Sequence, residues 1–191
     1  MMDYQSYSEN ELNSASEHLL YEIEMFYYTA HFLITPIQDK DTLQYISGAT
    51  TTDISRVLMA AGNETQIFNL VQKNALVESF GIHYRELYDF LGKHDRYHFG
   101  DIRAKHFIDN NNIINTLKSK IEALAHNPTM VNKTIAHLTI ERIMYKNLNY
   151  ALPVAEIVKE MVEPLNLFIK HAKNIICKNE MGDFIVRLGK L

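Results

Sequence analysis

Apolar residues recur at three- and four-residue intervals along most of this chain, the spacing that lines up side chains on one face of a helix. From Leu12 the series Leu19, Ile23, Phe26, Tyr27, Ala30 and Phe32 to Ile34 keeps that spacing. Ser8 stands three residues before Glu11, as a reciprocal N-terminal cap requires, so the pattern predicts a first long helix over 9–34. "TPIQDKDTLQYISGATTTD" (35–53) carries a proline, a glycine and a threonine run and reads as an extended connection, with room for one helical turn at 41–46. Asp53 can cap a segment reaching Ala61, and Gly62 with Asn63 breaks or kinks it before Asn63 caps again with Gln66 opposite.

Between 64 and 91 the apolar positions fall on more than one side. Ile67, Leu70, Val71, Val77, Tyr84, Tyr88 and Leu91 form one stripe, and Leu76, Phe80, Leu87 and Phe90 another, the pattern of a central helix. "GKHDRYHFG" (92–100) is a loop by its flanking glycines, followed by a short helix around 101–109 and the polar "DNNN". Ile113, Ile114, Leu117, Ile121 and Leu124 predict an amphipathic helix over 113–125. Asn127 and Pro128 are a cap and a first-turn proline, opening a helix that carries "VNKTIAHLT" to about 148. Pro153 opens the last long helix, and Pro164 inside it removes an amide donor and predicts a bend. The tail from Glu180 has Phe184, Ile185, Val186 and Leu188 available to dock or to pair with another subunit. The fold expected is all-α: one domain over 1–191, a mostly antiparallel bundle of five or six helices with a kinked last long helix.

Composition narrows the function classes. With 191 residues, 47% apolar and 22% charged, the chain can bury a core without disulfides or metal. A net charge of −4 gives no global positive field for nucleic acid, so an RNA role needs a local basic patch. The single cysteine, Cys177, excludes an internal disulfide framework and a thiolate zinc site, and fits the cytoplasm. "MMDYQSYSENEL" lacks the basic start and apolar stretch of a secretory signal. "MFYYTAHFLI" (25–34) is about half the length of a membrane span and contains His31.

The polar residues carry three candidate constellations. His94 and His98, with Asp95, are the nearest approach to a metal-ligand pair, but no Glu-x-x-His pair supports a bundle metal site, so neither metal nor cofactor is expected. Asn74, Glu78, Arg85 and Asp89 follow spacings of four, seven and four and line one side of the central helix; they form either a salt-bridge ladder or one wall of a cleft. His83 faces elsewhere, as a core or interface histidine. Lys133, His137 and Glu141 fall at i, i+4 and i+8, so His137 sits beside charge. A histidine that exchanges a proton near neutral pH beside a phosphate-holding cation is the minimum set for cleaving RNA through its own 2′-hydroxyl. The alternative is a partly exposed histidine bonded to Glu141.

"NALVESFGIHYRELYDFL" (74–91), "DIRAKHF" (101–107) and "VNKTIAHLTIER" (131–142) together resemble a group of uncharacterised bacterial helical proteins and a distant variant of the HEPN superfamily. The resemblance covers roughly the middle half of the chain. It implies a helical bundle that forms a homodimer, and a metal-independent ribonuclease built on an arginine followed after four to six residues by a histidine. His137 takes the histidine position. Asn132, Val131 and Met130 occupy the arginine positions, and Lys133 is one residue too close. Lysine lacks the planar fork that grips two phosphate oxygens. On this reading the protein is RNA-directed or defence-associated, with His137 as general acid or base, Lys133 and Arg85 contacting phosphate and Glu78 orienting the histidine. Two other readings stay open: a non-catalytic helical interaction module, and a small-ligand bundle with a pocket lined by Tyr27, Tyr84 and Tyr88.

Overall fold

The computed structural model describes residues 7–35, 64–93, 101–128, 152–173 and 175–191. Among these residues there are five α-helices, one 3-10 turn and no strand. The connection at 36–53, the segment to Ala61, the loop with His94, Asp95 and His98, and the predicted helix with Lys133, His137 and Glu141 lie outside the described residues.

Helix α1 (Glu9–Ile34) starts where its cap predicts. Ser8 Oγ accepts from the Glu11 amide at 3.3 Å, and the Glu11 carboxylate accepts from the Ser8 amide at 2.7 Å. These bonds favour the ionised carboxylate and hold Glu11 below its ordinary pKa. Helix α2 (Glu64–Gly92) is the long helix expected there, and Phe80, Tyr84, Leu87 and Leu91 of its two stripes are buried. Helix α3 (Asn111–Glu122) is capped by Asn110, whose side chain accepts from the Asn112 amide at 3.0 Å. Helix α4 (Val154–His171) starts after Pro153 and runs on through the buried Pro164. Helix α5 (Lys178–Leu188) docks part of the apolar tail: Ile185 and Leu188, with Met181, bury where α5 packs on α1 and α4, while Val186 stays exposed.

The short helix expected over 101–109 is reduced to a 3-10 turn, Ala104–His106. Arg103 is extended (φ −130°, ψ 162°) and donates its amide to His106 Nδ1 at 2.9 Å, a side-chain bond that closes the turn and replaces a helical start.

Contacts between named residues give the helix directions. Phe26 stacks on Phe80 at 5.1 Å while Glu22 reaches His83, so α1 and α2 run antiparallel. Lys120 bonds Glu163 and His126 bonds Glu160, which makes α3 antiparallel to α4. Val162 meets Gly189, so α4 and α5 form an antiparallel hairpin.

One buried cluster draws on all five helices. Phe168 of α4 is its hub, with Phe90 at 5.0 Å and Phe107 at 6.0 Å. Each such ring contributes about 1.5–3 kcal/mol by leaving water. Gly92 ends α2 against Ile121 of α3: a Cβ there would land on Ile121 Cγ2 and 3.1 Å from Ile121 Cβ, so the approach requires glycine.

Candidate functional site

The C-terminal half of α2 lies along the N-terminal half of α1, and the segment 101–103 closes one end. Between them opens a cleft of about 710 Å³. From α1 it is lined by Ala15, His18, Leu19 and Glu22, and from α2 and its end by Arg85, Glu86, Leu87, Asp89, Phe90 and Lys93. Asp101, Ile102 and Arg103 supply the rest. The floor is apolar because Leu19 and Leu87 belong to the core.

Local bonds hold the charged walls in place. Arg85 donates to Glu86 at 2.8 Å, and both side chains remain about half exposed. Lys93 reaches back one turn to Asp89 at 2.6 Å. Arg103 pairs with Asp101. The segment carrying them is pinned from outside the cleft: Tyr7 donates its hydroxyl to the Asp101 carbonyl at 3.4 Å, and its ring meets His106 edge-on. Because His106 Nδ1 accepts the Arg103 amide proton, its own ring proton sits on Nε2. Glu22, on the opposite wall, is shared with the buried His83 at 2.6 Å.

The lining thus holds three permanent cations, Arg85, Lys93 and Arg103, against four carboxylates, Glu22, Glu86, Asp89 and Asp101. Asp89 Oδ1 and Arg103 Nε have almost no accessible surface and make no hydrogen bond among the described residues. A buried polar atom without a bond costs about 1–3 kcal/mol, so these two atoms weigh against the stability of the cleft walls.

The structure distributes the candidate residues unevenly. Arg85 and Asp89 of the polar line both face the cleft, but they bond to Glu86 and Lys93 and not to each other, so the line is no ladder. Glu78 is exposed and is not among the residues lining the cleft. Lys133 and His137 lie outside the described residues. Lys93, Arg103, Asp101, Glu86, His18 and Glu22 were missed by the sequence reading. Lys93 extends the Arg85, Asp89 series by one more four-residue step, which was a usable signal; the others meet only through tertiary packing.

The three tyrosines of the small-ligand reading lie away from this cleft. Tyr84 is fully buried and donates its hydroxyl to the His126 carbonyl, and burial raises its phenol pKa, with Tyr88 and Glu160 adding to the shift. Tyr27 packs instead on Tyr28, His31 and Phe184. None of Tyr27, Tyr84 and Tyr88 lines the cleft. The Cys177 thiol is raised by burial and donates to the Ser16 carbonyl at 3.3 Å, away from the cleft. Among the described residues there is no group of three or more His, Cys, Asp or Glu placed to hold a metal ion, and no helix long and apolar enough to cross a membrane.

No protein-family model, curated protein or solved structure matches the chain.

Proposed function

We propose that the protein is a binding module whose α1–α2 cleft takes a small ligand bearing both an anionic and a cationic group. The observation that carries this reading is the cleft's mixed lining, three cations and four carboxylates around about 710 Å³, within the size range of small-molecule sites. A purely anionic ligand meets the four carboxylates, and a purely cationic one meets the two guanidinium groups and Lys93. A dipolar molecule can turn each end to its complement. Asp89 and Arg103 place a carboxylate and a guanidinium on the cleft's lining.

The test is thermal denaturation of the full chain with a panel of zwitterions, such as free amino acids and aminoalkylphosphonates, beside analogues carrying only one of the two charges. A zwitterion at about a hundred times its Kd stabilises by roughly 2.7 kcal/mol. Asp89→Asn and Arg103→Gln should each weaken binding about tenfold, as loss of a charged hydrogen bond does. Equal stabilisation by singly charged analogues, or by no compound in the panel, counts against the reading.

A second reading keeps the HEPN resemblance: a cytoplasmic, RNA-directed or defence-associated homodimer in which His137 exchanges protons, Lys133 and Arg85 hold phosphate and Glu78 orients the histidine. The half-exposed Arg85 guanidinium favours it, with Arg103 and Lys93 in the same cleft. Metal-free cleavage of an RNA pool by the wild type and not by His137→Ala is its expected result, and no cleavage by either protein removes it.

A further inference from the structure

The outer face of α1 carries large apolar side chains that the described core does not use. Tyr21, Tyr28 and Phe32 are 51%, 42% and 53% exposed. At 100° per residue, spacings of seven and eleven bring them within about 40° of one another around the helix, over about 16 Å of its length. The half-buried Met25 fills the gap in the same line. Ile82, next in sequence to the His83 ring that Tyr21 meets edge-on, is exposed as well. At the other end of the line Tyr28 rests against Phe184 of α5. Single exposed apolar residues are ordinary, but a contiguous line on one helix marks a contact surface.

The charges beside the line select the partner. Helix α1 contains five glutamates and two histidines, with no lysine or arginine. Glu17 and Glu24 fall along one border of the stripe, about 40–60° from Tyr21. On α2 the exposed Glu78 stands four residues before Ile82. Among the described residues, Arg187 stands 5.2 Å over the Phe184 ring at the Tyr28 end, and Arg85, three residues past Ile82, is paired with Glu86. A second copy meeting this face through a two-fold axis would set the same cation-free helix against itself, and its glutamates would find no opposite charge on α1.

We propose that the Tyr21–Tyr28–Phe32 face of α1 docks a basic amphipathic helix of another protein. Leucine-type side chains at i, i+3 or i+4 and i+7 would cover the aromatic line while lysines or arginines pair with Glu17 and Glu24. This surface does not depend on the cleft.

The chain has no tryptophan, so Phe32→Trp in the full chain gives a unique fluorescent reporter on the face. The probe is a Leu/Lys amphipathic helical peptide without tryptophan, and the control a scrambled peptide of the same composition. The free variant, its folding checked by circular dichroism, should emit as an exposed indole. The amphipathic peptide should produce a saturable blue shift that the scrambled one does not, and Glu17→Gln with Glu24→Gln should weaken it about three- to tenfold. Equal shifts with both peptides would reduce the contact to bare charge attraction and overturn the proposal. So would the absence of a shift. Buried emission from the free variant would also overturn it: if independent of concentration the chain covers its own face, and if lost on dilution a second copy does.

Discussion

At the scale of one residue, Tyr84 shows how a polar atom is accommodated in the core. Its ring has no exposed surface, stacked with Phe26 and Phe80, yet its hydroxyl finds the His126 carbonyl. Tyr84→Phe should therefore cost about 1–3 kcal/mol at neutral pH, because the carbonyl loses its donor. The same burial gives a pH signature. The phenol's folded pKa is raised above its ordinary value of 10.0, so the unfolded chain releases this proton first. Its contribution is intact below about pH 10 and is lost as pH rises from there towards the folded pKa, at about 1.4 kcal/mol per pH unit. Urea unfolding between pH 8 and 11 should show a steeper alkaline loss in the wild type than in Tyr84→Phe. Tyr88, also raised by burial, keeps the variant's slope above zero. Identical slopes would mean that Tyr84 ionises as freely in the folded chain as in the unfolded one.

At the scale of the helices, a stacked aromatic run and a polar bond hold the α1–α2 pair among the described residues. His83, only 7% exposed, bonds Glu22 at 2.6 Å under the ring of Tyr21. A double-mutant cycle with Glu22→Gln and His83→Leu should return a coupling of about 1–2 kcal/mol, little changed by salt because the pair is largely covered. Coupling near zero would mean that the two side chains do not meet in solution. Helix boundaries were legible in the sequence wherever they rest on neighbours along the chain. The Ser8–Glu11 cap marked the start of α1, and the run of apolar positions marked the long α2. The turn at 104–106 was not legible as a turn, because it depends on the His106 ring reaching the Arg103 amide. The cleft was half legible for a similar reason. Arg85 and Asp89 announce themselves by spacing on one helix, whereas Glu22 and Arg103 join them only once α1 and the 101–103 segment have packed.

At the scale of the molecule, the described helices share one core, and Phe168 is where its parts join. Its ring touches Phe90 of α2 and Phe107 of the 3-10 segment, while α4 itself packs against α1, α3 and α5. Lys173, just beyond α4, donates its amide to the Phe107 carbonyl at 2.8 Å and ties the same two segments again. A residue so placed should couple the helices energetically as well as geometrically. Phe168→Ala removes a fully buried ring and leaves a cavity, at a cost of about 3–5 kcal/mol, a large share of the 5–15 kcal/mol that holds an ordinary domain together. If the described helices form one cooperative unit, the loss should appear everywhere at once. Denaturation followed by circular dichroism and by a tryptophan at position 32 of α1 should then give coincident curves, both displaced by the same amount in Phe168→Ala. A variant in which the α1 probe keeps its midpoint while the helical signal falls early would instead divide the chain into two units, with the boundary running between α1 and α4.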